Sequence, residues 1–227
     1  MNVPVARRPV RLSTVVALGA AAAAVSLIRP VAMPGAVVLA AGFVVSREGA
    51  HRFRTGGRAV GTGGLLVGAL AALVGVGLSV ASASQVPAFV EVGLGTFGIA
   101  CVGLGTLPVR GTGSRLFVKV GTSAVLLCIV AGGLFQDAGT VPLLVSCAAL
   151  VVSWDAAENS ISVGEQLGRE STTWTVEEAH SGFTALVGGV AVLSSFAVRD
   201  LGTPGLPLHS VALLLVALVF LTLALHD

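Results

Sequence analysis

Apolar runs close to the length of a bilayer crossing recur along almost the whole of this 227-residue chain, and no other feature constrains its fold as much. A hydrocarbon core about 30 Å thick takes about 20 helical residues to cross. Eight segments approach or meet that length: 12–28, 31–46, 59–82, 86–107, 116–135, 141–154, 182–198 and 209–225. The expected fold is an all-α integral membrane bundle of about eight transmembrane helices. Composition argues against a soluble domain: 55% of residues are hydrophobic and only 11% charged, against about 25% charged in soluble proteins. The 30 glycines have no collagen period. In lipid they read as close helix packing, because small residues let backbones approach.

Arg29-Pro30 separates the first two segments, with Pro34 just beyond. Proline cannot continue a helix interior, so a tight hairpin is expected there. Segment 141–154 is short; its helix is expected to start near Ala138 and to run past Trp154. Arg7, Arg8 and Arg11 before an apolar run have the form of a signal peptide. The second apolar run that follows at once favours a retained helical hairpin instead.

Basic residues set the expected orientation. With the N-terminus in the cytoplasm and strict alternation, Arg7, Arg8, Arg11, Arg47, Arg52, Arg54, Arg58, Arg110, Arg115, Lys119 and Arg169 all fall inside, and only Arg29 and Arg199 outside. That asymmetry is the positive-inside bias of a cell-membrane protein, and it places both termini in the cytoplasm. The organisation reads as a cytoplasmic tail (1–11), six helices (12–154), a polar segment (155–181) and two further helices (182–227). External connections are short, so anything recognised outside must be small, lipidic or another membrane protein.

Few residues stand out as chemistry. Cys101, Cys128 and Cys147 lie in separate apolar segments and read as buried small hydrophobes. Gly93-Leu94-Gly95-Thr96-Phe97-Gly98 matches a dinucleotide-binding pattern in letters only. No strand precedes it and no acid follows about 20 residues on, so helix packing is the better reading, as it is for Gly64 and Gly68. Glu91 is a possible intramembrane acid, close enough to its segment's outer end to reach the interface. Gly121-Thr122-Ser123-Ala124 and His180-Ser181-Gly182 resemble the serine and histidine helices of rhomboid-type proteases, but that family's histidine-asparagine pattern has no counterpart here. The arginine-rich loop Arg47–Arg58 suits contact with anionic headgroups; with Phe53 as its one aromatic residue, it does not suggest nucleic acid.

The polar segment Asp155–His180 holds six of the eleven acids: Asp155, Glu158, Glu165, Glu170, Glu177 and Glu178. At 100° per residue, Asp155, Glu158, Asn159, Ser162, Glu165, Gln166 and Arg169 share one arc, predicting an amphipathic cytoplasmic helix near 155–168. Glu165 and Arg169 stand at i,i+4 in the favourable order. Thr175-Val176-Glu177-Glu178 fits a capping box. Beyond it, Glu177, His180, Ser181, Thr184, Gly188 and Ser195 form a polar stripe on the next helix, which must face protein or water. The two polar faces are expected to meet. Glu177-x-x-His180 has the spacing of bundle metal sites, but a second such motif is lacking. No metal, cofactor or catalytic residue is expected.

The run Trp154-Asp155, Glu158, Val163-Gly164-Glu165-Gln166-Leu167-Gly168-Arg169, Thr173, Glu177 and His180 resembles the signature of a haloarchaeal family of multipass membrane proteins of unknown function. The resemblance is strongest over about 155–185. It implies an accessory role beside a MoxR-type AAA ATPase system, because genes of that kind neighbour the family. The functional expectation is a non-enzymatic accessory or scaffold subunit. It would dock a cytoplasmic or membrane partner through Asp155, Glu158, Glu165, Arg169, Glu177 and His180. The alternative is a small transporter or channel using Glu91 or the His180 stripe, with an intramembrane enzyme third.

Overall fold

The computed structural model describes residues 10–107, 113–136, 138–167, 182–184, 186–190 and 193. Two compact units divide the chain, Met1–Gly189 and Val190–Asp227. Of the second, only Val190 and Leu193 are described, both helical. In the first unit the helices are α1 (Arg11–Ile28), α2 (Met33–Arg54), α3 (Arg58–Ala81), α4 (Val86–Thr106), α5 (Arg115–Phe135) and α6 (Thr140–Leu167). All six are long and apolar enough to cross a membrane, and each overlies one of the first six predicted segments, with α2 and α6 running well beyond theirs. Residues 182–184 and 186–190 are helical too; the remainder of the last two predicted segments lies outside the described residues.

Local chemistry explains the boundaries. Pro30 opens a single 3-10 turn, Pro30–Ala32, and Pro34 sits in the first turn of α2, where a missing N–H costs nothing. The predicted loop Arg47–Arg58 is a correction: α2 continues through it to Arg54. His51, Arg52 and Arg54 occupy its last turn, where the helix dipole favours cations, and Glu48 pairs with Arg52 one turn on at 3.2 Å. The chain turns at Gly56, whose φ of 109° favours glycine. Ser114 caps α5 by accepting from the Phe117 N–H.

The sixth helix runs past Trp154 as expected, and the amphipathic stretch near 155–168 belongs to it rather than standing as an element of its own. Residues 155–167 are the unbroken continuation of α6, which spans 28 residues, about 42 Å. That exceeds a hydrocarbon core by about 12 Å. The polar end does not lie free on a surface. Ala156, Ala157, Ser160, Ile161 and Val163 are buried, and Ser160 O accepts from Val10 N at 3.0 Å.

Three antiparallel pairs dominate the packing: α2 with α3, α4 with α5, and α1 with α6. α1 also meets α2, α4 and α5, so it lies at the centre of the six helices. The α2–α3 pair is built on two heptad glycine series, Gly35, Gly42 and Gly49 against Gly61, Gly68 and Gly75. A Cβ on Gly42 would stand 2.5 Å from Ala72 N and 2.7 Å from Gly68 O. No side chain fits there; the backbones themselves are in contact, the arrangement that substitutes for hydrophobic drive in lipid. In the Gly93–Gly98 run, Gly98 opposes Gly121 O and Val125 on α5, Gly95 opposes Val25 and Cys128, and Gly93 faces open space. α3 turns its other side outward, exposing Leu66, Leu70, Leu73 and Val74, a surface suited to lipid. Cys101 and Cys128 are buried as expected, but Cys147 is exposed.

Candidate functional site

Antiparallel alternation puts the starts of α1, α3 and α5 and the ends of α2, α4 and α6 at one pole. Arg11, Arg52, Arg54, Arg58 and Arg115 all stand there, and it is called the basic pole below. The opposite pole carries Arg29 and Gln136. Among the described residues, polar side chains cluster at both poles, and sequence reasoning anticipated only part of this.

At the basic pole, Arg115 is the organising residue, and it was not among those singled out from sequence. It is the first residue of α5, where the dipole disfavours a cation, and α6 supplies the compensating charge. Arg115 Nε lies 3.2 Å from Glu158 Oε2 and its Nη2 lies 2.9 Å from Glu165 Oε2. Nη2 also donates to Ser162 Oγ at 3.3 Å. Residues 158, 162 and 165 recur at i, i+4 and i+7, so one guanidinium spans two turns of one face. Glu165 thus has a partner on α5; the predicted partner Arg169 lies outside the described residues.

The rest of the polar arc divides between two other neighbours. Asn159 donates to Ser13 Oγ on α1 at 3.2 Å. Asp155 Oδ2 accepts from Thr184 Oγ1 at 2.6 Å, so the expected meeting of the two polar faces is realised at this contact. A Cβ on Gly188 would lie 3.6 Å from Val152 and 3.9 Å from Ala148, which puts a second residue of the stripe against α6. Glu177 and His180 lie outside the described residues, as do Glu170, Glu178 and Ser195. Beside Asp155 and Glu158 a recess of about 370 Å³ opens, walled by Trp154, Phe183 and Val187. Glu158 Oε1 is buried with no hydrogen-bond partner among the described residues. The carboxylates are half-buried, with side-chain exposures of 25% for Glu158 and 35% for Glu165.

At the opposite pole, Glu91 is buried among the helices: its side chain is 2% exposed and Arg29 Nη1 lies 3.7 Å from its Oε2. Gln136 closes a triangle. Its Nε2 donates to Glu91 Oε2, and its Oε1 accepts from Arg29 Nη1. Arg29 is the C-cap of α1 and Gln136 the C-cap of α5, so the cluster ties the ends of two helices to α4. Glu91 Oε1 is buried without a hydrogen-bond partner among the described residues. A Cβ on Gly132 would lie 3.5 Å from that oxygen. The pairing had a signal in the sequence: Glu91 is the one acid inside a predicted apolar segment, and alternation puts Arg29 at its level. Ser123, of the protease-like pair, is exposed on α5 beside Cys147 and Trp154 in an apolar hollow of about 280 Å³. Among the described residues, no three His, Cys, Asp or Glu side chains group as metal ligands.

Residues 71–222 match a family of unknown function, DUF7519, and the chain belongs to that family. No curated protein and no solved structure matches the chain.

Proposed function

We propose that this member of DUF7519 is a non-enzymatic accessory or scaffold subunit that docks a partner through the acidic end of α6. The supporting observation is the recess in which Asp155 and Glu158 stand beside Trp154 and Phe183. Carboxylates next to aromatic faces accept an Arg or Lys side chain through charge-assisted hydrogen bonds and cation–π contact. The partner in this reading is therefore a cytoplasmic or membrane protein presenting a basic segment. An eight-helix topology with both termini cytoplasmic, an archaeal source and an AAA ATPase system as the partner belong to the same proposal. The first rests on hydropathy and charge bias, the other two on the resemblance around 155–185.

A tagged full-length chain, isolated from its own cells after crosslinking, tests the docking. Trp154→Ala and Asp155→Asn leave the Arg115 pairs intact and are expected to lose a protein that the wild type retains. Charge reversal at Glu158 and Glu165 should do the same but also breaks the bridge to α5, so it is the less clean probe. If wild type and both point variants retain identical proteins, the recess is not a docking site.

One observation favours a second reading, a small transporter or channel. A carboxylate sealed between three helices, with one oxygen lacking a hydrogen-bond partner among the described residues, suits an ion or proton path. That reading requires flux in liposomes that Glu91→Gln abolishes.

A further inference from the structure

Four side chains of α6 form an outward stripe. Cys147, Val151 and Trp154 are exposed, and the Glu158 side chain is 25% exposed. Their spacings of four, three and four are those of the seam along which one helix packs against another. The stripe covers eleven residues, about 16 Å of helix. A hollow flanks it on each side. Toward α5 lies the apolar one of about 280 Å³, with Ser123, Leu126 and Cys147 in its wall. Toward Phe183 and Val187 lies the acidic recess of about 370 Å³. Val151 and Trp154 line both, so the two hollows are halves of one surface.

That surface grades from apolar to acidic. Its apolar half is set in α5 and α6, both of membrane length. At its other end, Arg115 serves Glu158 and Glu165 together, so these three groups carry a formal charge of about −1. Asp155 already accepts from Thr184 at 2.6 Å, whereas Glu158 Oε1 has no donor among the described residues. A donor in the recess would satisfy it after a small rotation of the carboxylate. Charge and missing donor together select a cation. A phospholipid brings its phosphate to this level, where the acids repel it, and an uncharged chain leaves Oε1 unsatisfied.

We propose that the partner is a transmembrane helix with an Arg or Lys near its end at the basic pole, laid along the stripe from Cys147 to Glu158. The proposal rests on the docking reading above and narrows it. A water-soluble basic segment would fill the recess alone, whereas a helix fills the apolar hollow as well. The small side chains of Ser123 and Cys147 let a second backbone approach, and Trp154 is the aromatic anchor at the middle of the contact. The basic residue of the partner then reaches Glu158 through a charge-assisted hydrogen bond.

Photocrosslinking in the protein's own cells tests this, with p-benzoylphenylalanine in place of Phe183 in the recess or of Leu126 in the hollow. Both positions should capture the same protein, through peptides of one apolar span of about 20 residues that ends in an Arg or Lys. Ser123→Phe fills the hollow without touching a charge. It should cut the Phe183 crosslink about tenfold, the loss of one well-packed contact, with thermal stability unchanged. A protein captured from Phe183 while Leu126 captures only lipid would overturn the helix and leave the docking reading standing. So would a Phe183 crosslink indifferent to Ser123→Phe, or a captured span with no basic residue at that end. Crosslinks only to residues 209–225 of the chain itself, or to no protein from either position, would overturn both.

Discussion

Replacing Arg29 by methionine isolates the energetics of the Arg29–Glu91–Gln136 triangle. The pair stands 3.7 Å apart with side-chain exposures of 13% and 2%. Removing one partner of a buried ion pair costs about 3–5 kcal/mol, because the other charge is left uncompensated. Glu91 would still accept from the Gln136 amide, so Arg29→Met is expected at the lower end, about 3 kcal/mol. Glu91→Leu leaves the more exposed partner, on a flexible stem that can turn toward water, and should cost about 1 kcal/mol. The double variant replaces the pair by apolar groups of similar volume and should return to within about 1 kcal/mol of wild type. The coupling energy is then about 3 kcal/mol. Thermal unfolding of the purified protein in detergent measures all four corners of the cycle. At roughly 2–4 °C per kcal/mol for a chain of this size, Arg29→Met should lower Tm by about 6–12 °C. An Arg29→Met variant as stable as wild type, or a double variant as unstable as the singles added, would refute the reasoning. The double variant also separates structure from transport: if flux exists, it should vanish in this stable protein.

Three further outcomes follow from the packing. Gly42→Ala forces a Cβ to 2.5 Å from Ala72 N, whereas Gly77→Ala on the facing helix meets nothing within 4 Å; the first should destabilise by about 1–3 kcal/mol and the second be neutral or slightly stabilising, measured by the same unfolding assay. Arg115→Gln should cost no more than about 1 kcal/mol, since its pairs are partly solvated; raising the salt should shrink the difference, and a large salt-independent loss would contradict the exposures seen. A lipid-permeant maleimide should modify Cys147 rapidly and Cys101 and Cys128 only on unfolding, because the first is exposed and the others buried; mass spectrometry of the labelled peptides reads this directly.

The helices themselves were legible because hydropathy is a local property, and in lipid each helix satisfies its own backbone. The six observed helices begin or end within a residue or two of the predicted segments at most boundaries. The two departures share one cause. Arg47–Arg54 is polar, so hydropathy assigned it to a loop; Asp155–Leu167 is polar too, and there a continuation past Trp154 was expected but not its full length. Yet nothing in either stretch breaks a helix, and both continue the one before. Stopping α2 at residue 46 also hid a glycine series. Gly49 fell in an apparent loop, so the seven-residue spacing from Gly35 and Gly42 went unseen, and in this hairpin only Gly64 and Gly68 were read as packing residues.

Polar partners were legible to a lesser degree. The arc of Asp155, Glu158, Asn159, Ser162 and Glu165 was correct as an arc, because residues on one helix have fixed angular positions. Its division among three neighbours was not. Glu158, Ser162 and Glu165 face Arg115, Asn159 faces Ser13, and Asp155 faces Thr184. Sequence spacing gives the angle of a side chain around its own helix but not which helix stands at that angle. The local partner for Glu165, Arg169 at i,i+4, was the one periodicity could offer; the structure supplies instead a guanidinium fifty residues away.

By itself, then, the sequence determined that this chain is a set of long apolar helices, where most of them start and stop, and which residues share a helix face. Each of these is set by composition and by the 3.6-residue repeat. Only the tertiary structure decided that α1 lies at the centre, that the α2 and α3 backbones touch through two glycine series, and that Arg115 and the Arg29–Gln136 pair neutralise acids on other helices. Those outcomes depend on which helices become neighbours. In lipid, that choice is made by the fit of small residues and the satisfaction of a few buried charges, summed over the whole bundle rather than read along the chain.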